Sequence, residues 1–249
     1  MKKFILSVSM FLLIVVANCF SINEVSAQDN SKVYIRIGEL SVKDVSVAYK
    51  AFSKINPSYI KASNGVVTGK NTYSSESGLV YAFTSFNDLG KLMQENGSYW
   101  NKTFLDNPGV SEEMSANTLA PNTSSIWVRF NEASNNVANY NPSDYDFRRF
   151  IIVNVVVGKV KEYEALLIQQ NELLLKLGYN VNKMVFKSVV GYTQNSYLTL
   201  FAEHSLSEYI AERSVRMKKI NESSEYVKVT NAMRALSIPV KVDFLTRFK

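Results

Sequence analysis

The stretch from Asp146 to Tyr179, DFRRFIIVNVVVGKVKEYEALLIQQNELLLKLGY, constrains the fold most, because one side-chain period gives way to another inside it. Phe150 to Val157 is a nearly unbroken run of β-branched and apolar residues, too short for a membrane span and of the composition strands favour. Gly158 ends it. From Lys161 onward Tyr163, Leu166, Leu167, Gln170, Leu174 and Leu177 recur at helical spacing, Lys161, Glu162, Glu164, Gln169 and Lys176 fall mostly elsewhere on the wheel, and Gly178 stops the helix. A strand therefore feeds a helix directly.

A weaker copy of this unit lies upstream. Val33 to Ile37 alternates as a strand, with Val33, Ile35 and Ile37 on one face and Tyr34 and Arg36 on the other. Gly38 ends the strand, Ser41 to Asp44 reads as a capping-box variant, and Val45, Ala48, Phe52 and Ile55 make a helical stripe that Asn56-Pro57 should close. Tyr59–Thr68 and Gly78–Thr84 read as two more strands joined by the turn-rich GKNTYSSESG. Leu89, Leu92, Met93, Asn96 and Trp100 make a second helix that should fray or break at Gly97, and a short helix is expected from Ser111. Ser125–Phe130 is a fourth strand, and Asn131–Ser143 is linker-like.

The second half repeats the order: strand at Phe150, helix at Lys161, strands at Val181–Val190 and Tyr197–Ala202, helix from Ser205, strand at Val240–Phe248. Both halves read βαββαβ. Laying Gly38 on Gly158, Gly69 on Gly191, Leu89 on Leu206 and Arg129 on Arg247 gives offsets of 120, 122, 117 and 118, nearly constant, as a tandem duplication with small loop changes would give. The expected repeats are residues 28–140 and 141–249.

Residues 1–27 read as a signal peptide: Lys2 and Lys3, an apolar core from Phe4 to Val16, and the small residues Val25-Ser26-Ala27 before a cleavage site at Gln28. Asn18, Ser21, Asn23 and Glu24 interrupt the apolar stretch too early for a membrane anchor, and Asn18 occupies the place where acylation of Cys19 would need a small residue. The expectation is an exported, periplasmic or secreted protein without stable membrane insertion. Cys19 is the only cysteine, so the mature chain has no disulfide and its core must supply all the stability. Removing 27 of 249 residues leaves 222, enough for a sizeable core; removing Lys2, Lys3 and Glu24 leaves 26 basic and 21 acidic residues, a net charge of +5. That excess is spread out, with no basic block to suggest nucleic acid.

Two βαββαβ units are two ferredoxin-like folds, each an antiparallel sheet with helices on one face, which makes the expected class α+β. Strands such as Ile151–Val157 are apolar on both faces, so the bare faces need cover, and the simplest cover is the other repeat's sheet. In this arrangement the chain resembles the dimeric α/β-barrel superfamily, with two ferredoxin-like units closed sheet to sheet within one polypeptide over roughly residues 32 to 249. The resemblance is one of topology. It implies small monooxygenases acting on aromatic substrates as one kind of relative and haem proteins with a histidine axial ligand as another.

The barrel reading puts the second strand face between the sheets: Tyr34 and Arg36 from the first strand, Trp127 and Arg129 from the fourth, Leu245 and Arg247 from its counterpart, and Asn154 if Gly38 aligns with Gly158. With the first and fourth strands taken as the two sheet edges, Arg36 and Arg129 would clamp a carboxylate or similar group across the open face, while Tyr34 and Trp127 supply apolar contact. Tyr34, Arg36, Trp127, Arg129, Asn154 and Arg247 are thus the candidate ligand-binding residues, weighed against arginines that merely reach water at strand ends. Arg148 and Arg149 read as surface, and Arg213, on the stripe Leu206, Ile210, Arg213, Met217, Ile220, as a snorkelling edge residue.

His204, in AEHSLSEY, is the sole histidine. One histidine is too few for a zinc site, and no nucleophile-elbow motif offers it a serine partner. The resemblance would let it hold haem; the plainer reading is an exposed residue preceding a Ser205–Glu208 capping box, and no cofactor is expected. Three functions follow. The leading one is a non-catalytic protein holding a small apolar or anionic ligand. The alternatives are a cofactor-free monooxygenase-like or haem-binding enzyme, and an interaction protein with a filled barrel.

Overall fold

Residues 32–120, 123–135, 144–179 and 182–247 are described by a computed structural model. The expected signal peptide and part of the linker-like stretch lie outside the described residues. The chain is α+β, with eight antiparallel strands and six helices among the described residues. The first half gives β1 (Tyr34–Ser41), α1 (Val45–Ala62), β2 (Val67–Ser75), β3 (Leu79–Phe86), α2 (Leu89–Asp106), α3 (Val110–Asn117) and β4 (Thr123–Arg129). The second gives β5 (Phe147–Val155), α4 (Val160–Lys176), β6 (Asn182–Val190), β7 (Ser196–Glu203), α5 (Leu206–Glu222), α6 (Ser224–Ala235) and β8 (Ser237–Arg247). The order of strands and helices is the same in both halves.

The chain divides into two compact units, the first reaching to Thr72 and taking in Val80–Ile126, the second made of Tyr73–Leu79 and Trp127 onward. In the first, β3 lies between β1 and β2. The approach to β4 runs beside the end of β1: Leu119 N–H donates to Ser41 O, and Thr118 bridges Val42. One helical face covers this sheet, with Ala48, Ala51, Phe52, Ile55 and Tyr59 buried from α1 and Leu89, Leu92, Tyr99 and Thr103 from α2.

The second unit orders its strands β8-β5-β7-β6. The end of β2 pairs with β8 through Tyr73–Arg247, Ser74–Thr246 and Ser75–Leu245, and Phe130 N–H, just past β4, donates to Val185 O of β6. Its helix-side core gathers Val155, Tyr163, Leu167, Leu173, Val185, Tyr197, Val229 and Met233. β8 pairs with β5, so the fourth strand of this repeat adjoins the first; β1 and the entry to β4 are neighbours likewise. That corrects the expectation that first and fourth strands are opposite edges. In the ferredoxin-like order the fourth strand docks beside the first.

Both parities of β5 are buried, as expected: Ile152 is 1% exposed and Val155 2%. Val155 and Val153 pack on the helix side. Val156, expected to be covered, is 46% exposed because the strand ends at Val155 and Val156 N–H turns to Leu236 O. Gly178, with φ +81°, closes α4 as expected: Tyr179 N–H donates back to Leu174 O, a left-handed cap that glycine accepts without a Cβ clash.

Other expectations fail for tertiary reasons. Pro57 lies inside α1, where it forfeits a backbone hydrogen bond, because the buried stripe Phe52, Ile55, Tyr59 continues across it. Asp44, accepting from Ser46 N–H and Val47 N–H, is the N-cap, and Ser41 belongs to β1. Gly97 does not break α2; Leu92 and Tyr99 are buried on either side of it, which offsets a glycine penalty of about 1 kcal/mol. Most of GKNTYSSESG is strand β2, leaving a turn only around Ser75–Gly78, and Tyr59 is helical. α6 had no sequence signal strong enough to be expected.

Candidate functional site

Alternation along β2 sends Lys70 and Thr72 to the helix-covered side of the first unit. Asn56 of α1 donates its side-chain N–H to Thr72 Oγ1 at 3.2 Å, and Lys70, 9% exposed, lies among α1 and α2 side chains. The Lys70 Nζ is 4.1 Å from the centre of the Trp100 ring, 4.2 Å from that of Tyr59 and 6.0 Å from that of Phe52. An ammonium over aromatic faces gains a cation–π attraction, yet loses its hydration. Burial, reinforced by the charge of Arg36, holds Lys70 well below the usual lysine range. Among the described residues no carboxylate pairs with it.

The aromatic walls come from helical spacing. Asn96, Trp100 and Phe104 recur every four residues on α2, and the Trp100 and Phe104 rings stack at 5.4 Å. Tyr59 sits 4.5 Å from Trp100 and meets Tyr99 edge-on at 6.0 Å. The Asn96 carboxamide oxygen is a junction, accepting from the Tyr59 hydroxyl at 2.6 Å and from Arg36 Nη1 at 3.2 Å. Arg36 Nε donates to Ser124 Oγ at 2.8 Å. Burial pushes the Tyr59 phenol up to about 12, with Arg36 opposing, so it stays a donor. The Asn56 carboxamide oxygen is buried with no hydrogen-bond partner. Two cationic groups, a locked phenol, two amides and a tryptophan face thus converge under α1 and α2, and such clusters of perturbed groups are enriched at functional sites.

The candidate residues read from the sequence separate. Tyr34 stacks on Phe86 at 5.4 Å in the first unit, and Arg36 turns to α2, not to a space between sheets. The reason is parity: Arg36 reaches Asn96 of α2, so the strand face it occupies is the helix-covered one. The other four lie in the second unit. Trp127 is fully buried beside Tyr192, with ring centres 5.1 Å apart. Arg129 Nε donates to Asn131 Oδ1 at 2.7 Å, and burial lowers its guanidinium from the usual arginine value. Asn154 Oδ1 accepts from Ser196 Oγ at 2.6 Å, and the Arg247 backbone N–H donates to Asp146 O at 2.6 Å.

Arg148, expected at the surface, is 2% exposed, its guanidinium 5.2 Å from the Tyr73 ring and 5.6 Å from that of Tyr145. It is buried because β5 begins at Phe147, three residues before the apolar run. Arg213 is exposed over the Tyr209 ring. His204 is exposed, its Nδ1 2.8 Å from Asp144 O and its ring stacked on Tyr145 at 4.9 Å. Ser205 caps α5, accepting from Glu208 N–H at 3.1 Å. An axial haem ligand must project into an apolar slot; a surface ring with one nitrogen held by a carbonyl and one face on a tyrosine does not fit that role.

The second unit also buries a lysine from its second strand. Lys183, 1% exposed, donates to Gln170 Oε1 at 3.1 Å, and Gln170 in turn donates to Thr230 Oγ1 at 3.2 Å. Burial brings it down to about 7. The neighbouring Asn171 carboxamide oxygen, like that of Asn56, is buried and unpartnered.

Sequence reasoning missed Lys70 because its segment, rich in Gly, Asn and Ser, reads as a turn. The signal was there in the apolar members Val67 and Tyr73 at odd positions, which β2 keeps on one side. Asn96 and Trp100 were visible as helix-stripe residues but carried no chemical label.

No protein-family model matches the sequence, and no curated protein does. Solved structures do match. A candidate monooxygenase from Lactobacillus acidophilus NCFM aligns with a TM-score of 0.58 at 11% identity, over 87% of this chain and 94% of that one. One from Fusobacterium nucleatum gives 0.58 at 13%, over 87% and 93%. An anthrone oxidase-like protein gives 0.57 at 12%, over 90% and 94%, and a candidate chlorite dismutase 0.53 at 12%, over 88% and 95%. At such identities the likeness is one of fold. The chain has the fold of the dimeric α/β-barrel proteins, two ferredoxin-like units in one polypeptide.

Proposed function

We propose that the protein is a cofactor-independent oxygenase-type enzyme acting on an acidic aromatic compound, with its active site under α1 and α2 of the first unit. The observation that carries this reading is Lys70: a buried amine with no carboxylate partner among the described residues, walled by Trp100 and Tyr59 and lowered further by Arg36. A buried amine whose protonation is disfavoured can act as a base, and a neighbouring guanidinium stabilises the anion that the base creates. The fold likeness to monooxygenase-type and oxidase-like proteins supports the enzyme reading over that of a passive binder, as analogy.

In this reading Lys70 takes a proton from a methylene or hydroxyl acidified by an adjacent aromatic ketone, and Arg36 faces the resulting enolate oxygen. The Trp100 and Tyr59 rings hold the aromatic body, and the Asn96 junction fixes Tyr59 and Arg36 relative to each other. The electron-rich enolate reduces dioxygen and forms a carbon–oxygen bond. Loss of water from the hydroperoxide then leaves a ketone, so that a CH2 group and O2 become C=O and H2O with no external reductant.

The test is oxygen uptake by purified, chelator-treated protein with an anthrone-type tricyclic phenol as substrate. Wild type should exceed the uncatalysed oxidation, and Lys70→Met should lose about 10²-fold or more, the range of a general base. Wild type at the background rate, or Lys70→Met as fast as wild type, would overturn the proposal.

A further inference from the structure

The helix-covered face of the second unit carries a guanidinium set among phenyl rings. Arg149, expected at the surface, is half-buried, on the same side of β5 as Val153 and Val155. It lies opposite Phe201 of β7 on one flank and Phe244 of β8 on the other, and directly paired residues of an antiparallel sheet share a face. Phe147, on that face of β5 as well, stacks its ring 6.0 Å from that of Phe244, and the Arg149 Cζ is 5.9 Å from the centre of the Phe201 ring. The Arg149 Nε is buried with no hydrogen-bond partner, and among the described residues no carboxylate pairs with the guanidinium.

A second donor in the same patch also lacks an acceptor. Tyr209 of α5, 4% exposed, packs its ring 5.1 Å from that of Phe147 and 6.0 Å from that of Phe244, and its hydroxyl is buried without a hydrogen-bond partner. Glu203, beyond Phe201 on the same face of β7, is held by Arg216 of α5 at 3.5 Å. Burial pushes the phenol of Tyr226 on α6 up, while a hydrogen bond with Thr230 and the charges of Arg216, Arg234 and Arg149 oppose it, so the charges acting most on that hydroxyl are positive. Buried donors are nearly always paired, and a cation among rings without an acceptor is costly. Two such donors beside the same phenylalanines mark the place of an absent acceptor.

We propose that this patch binds a small organic carboxylate, held by the Arg149 guanidinium and the Tyr209 hydroxyl against the Phe147, Phe201 and Phe244 rings. Nε and one Nη of a guanidinium form a planar fork that matches the two oxygens of a carboxylate. The rings around the fork favour a flat apolar body, such as that of an aryl acid, over inorganic phosphate, whose hydration they cannot replace. Arg149, Phe201 and Tyr226 are each half-buried, which leaves the rim of the patch in reach of solvent. All of these residues belong to the second unit and Lys70 to the first, so the proposal does not rest on the activity proposed for the Lys70 cluster.

Benzoate is the probe, read at the arginine itself. In a ¹⁵N–¹H correlation spectrum the Arg149 Nε–H resonance, assigned by its loss in Arg149→Met, should shift saturably with benzoate and stay in place with inorganic phosphate at matched ionic strength. Tyr209→Phe, which removes only the hydroxyl, should weaken benzoate binding about tenfold or more by that same shift, the loss of one hydrogen bond to a charged group. Circular dichroism checks that each variant is folded; should Arg149→Met fail, Arg149→Lys, which keeps the charge and lacks the Nε–H, supplies the assignment. An Arg149 resonance that benzoate leaves in place, one that phosphate moves equally, or an affinity for benzoate unchanged in Tyr209→Phe would overturn the proposal.

Discussion

Each unit buries one lysine from its second strand under its helices, and they do it differently. Lys70 is set among ring faces with a guanidinium in the same cluster; Lys183 donates a hydrogen bond to the Gln170 amide oxygen, and the Gln170 amide N–H donates to Thr230 Oγ1. Among the described residues the first environment gives the amine no carboxylate partner, and the charge of Arg36 raises the cost of protonation. The second gives it a neutral acceptor and no charged neighbour that shifts it. An amine satisfied by a fixed amide chain is a structural solution. An amine set against aromatic faces, beside a guanidinium, is poised to give or take a proton when something enters.

The comparison breaks most readily at Lys70. Replacing it with Met should reduce turnover by about 10²-fold or more in the oxygen-uptake assay while leaving the protein at least as stable, because a buried amine that is costly to protonate is exchanged for an apolar chain of similar shape. Lys183→Met should leave turnover within a few-fold of wild type. Equal losses in both variants would erase the distinction between the units.

Core truncation gives the next effect. Ile152→Ala should cost about 2–5 kcal/mol in denaturant unfolding, whereas Val156→Ala, at a half-exposed position beyond the strand end, should cost well under about 1 kcal/mol. A large cost at Val156 would mean the strand continues and its end is covered.

The pH dependence sharpens the contrast from the stability side. The folded value of Lys183 is about 7, against about 10.4 for an unfolded lysine. Between those values the unfolded chain holds a proton that the folded chain lacks, so this residue's contribution makes stability rise with pH through that window and flatten below 7. The advantage of Lys183→Met over wild type should therefore shrink by about 2 kcal/mol between pH 7.5 and 9, at about 1.4 kcal/mol per pH unit. An advantage that is constant across that range would mean Lys183 stays protonated in the fold. The smallest effect is local: Ser205→Ala should cost about 1 kcal/mol through the lost cap of α5, read by thermal unfolding.

Much of the fold was legible from the chain because the longest elements obey one period each. β5 and α4 could be placed from Phe150–Val157 and the Tyr163–Leu177 stripe, the repeated βαββαβ order from the sequence of periods, and the Gly178 and Ser205 caps from local rules. Where local and tertiary signals compete, the reading failed. Pro57 and Gly97 argue locally for helix ends, but buried residues on both sides keep α1 and α2 continuous. The same conflict hid the candidate site: polar composition made β2 look like a turn, so Lys70 never entered the set of strand-borne residues. Arg36 was singled out for being a charge on an alternating strand, and it does join the cluster, but the side it faces depends on which sheet face the helices cover, and alternation alone cannot tell the two faces apart.

The most direct measurement is a titration of the lysine side chains by NMR, using ¹³C-labelled lysine and assigning resonances by loss in Lys70→Met and Lys183→Met. The account predicts two resonances that titrate well below the surface lysines, and predicts that an anthrone-type ligand perturbs the Lys70 resonance while leaving that of Lys183 in place. A Lys70 resonance that titrates together with the surface lysines, unmoved by ligand, would contradict it.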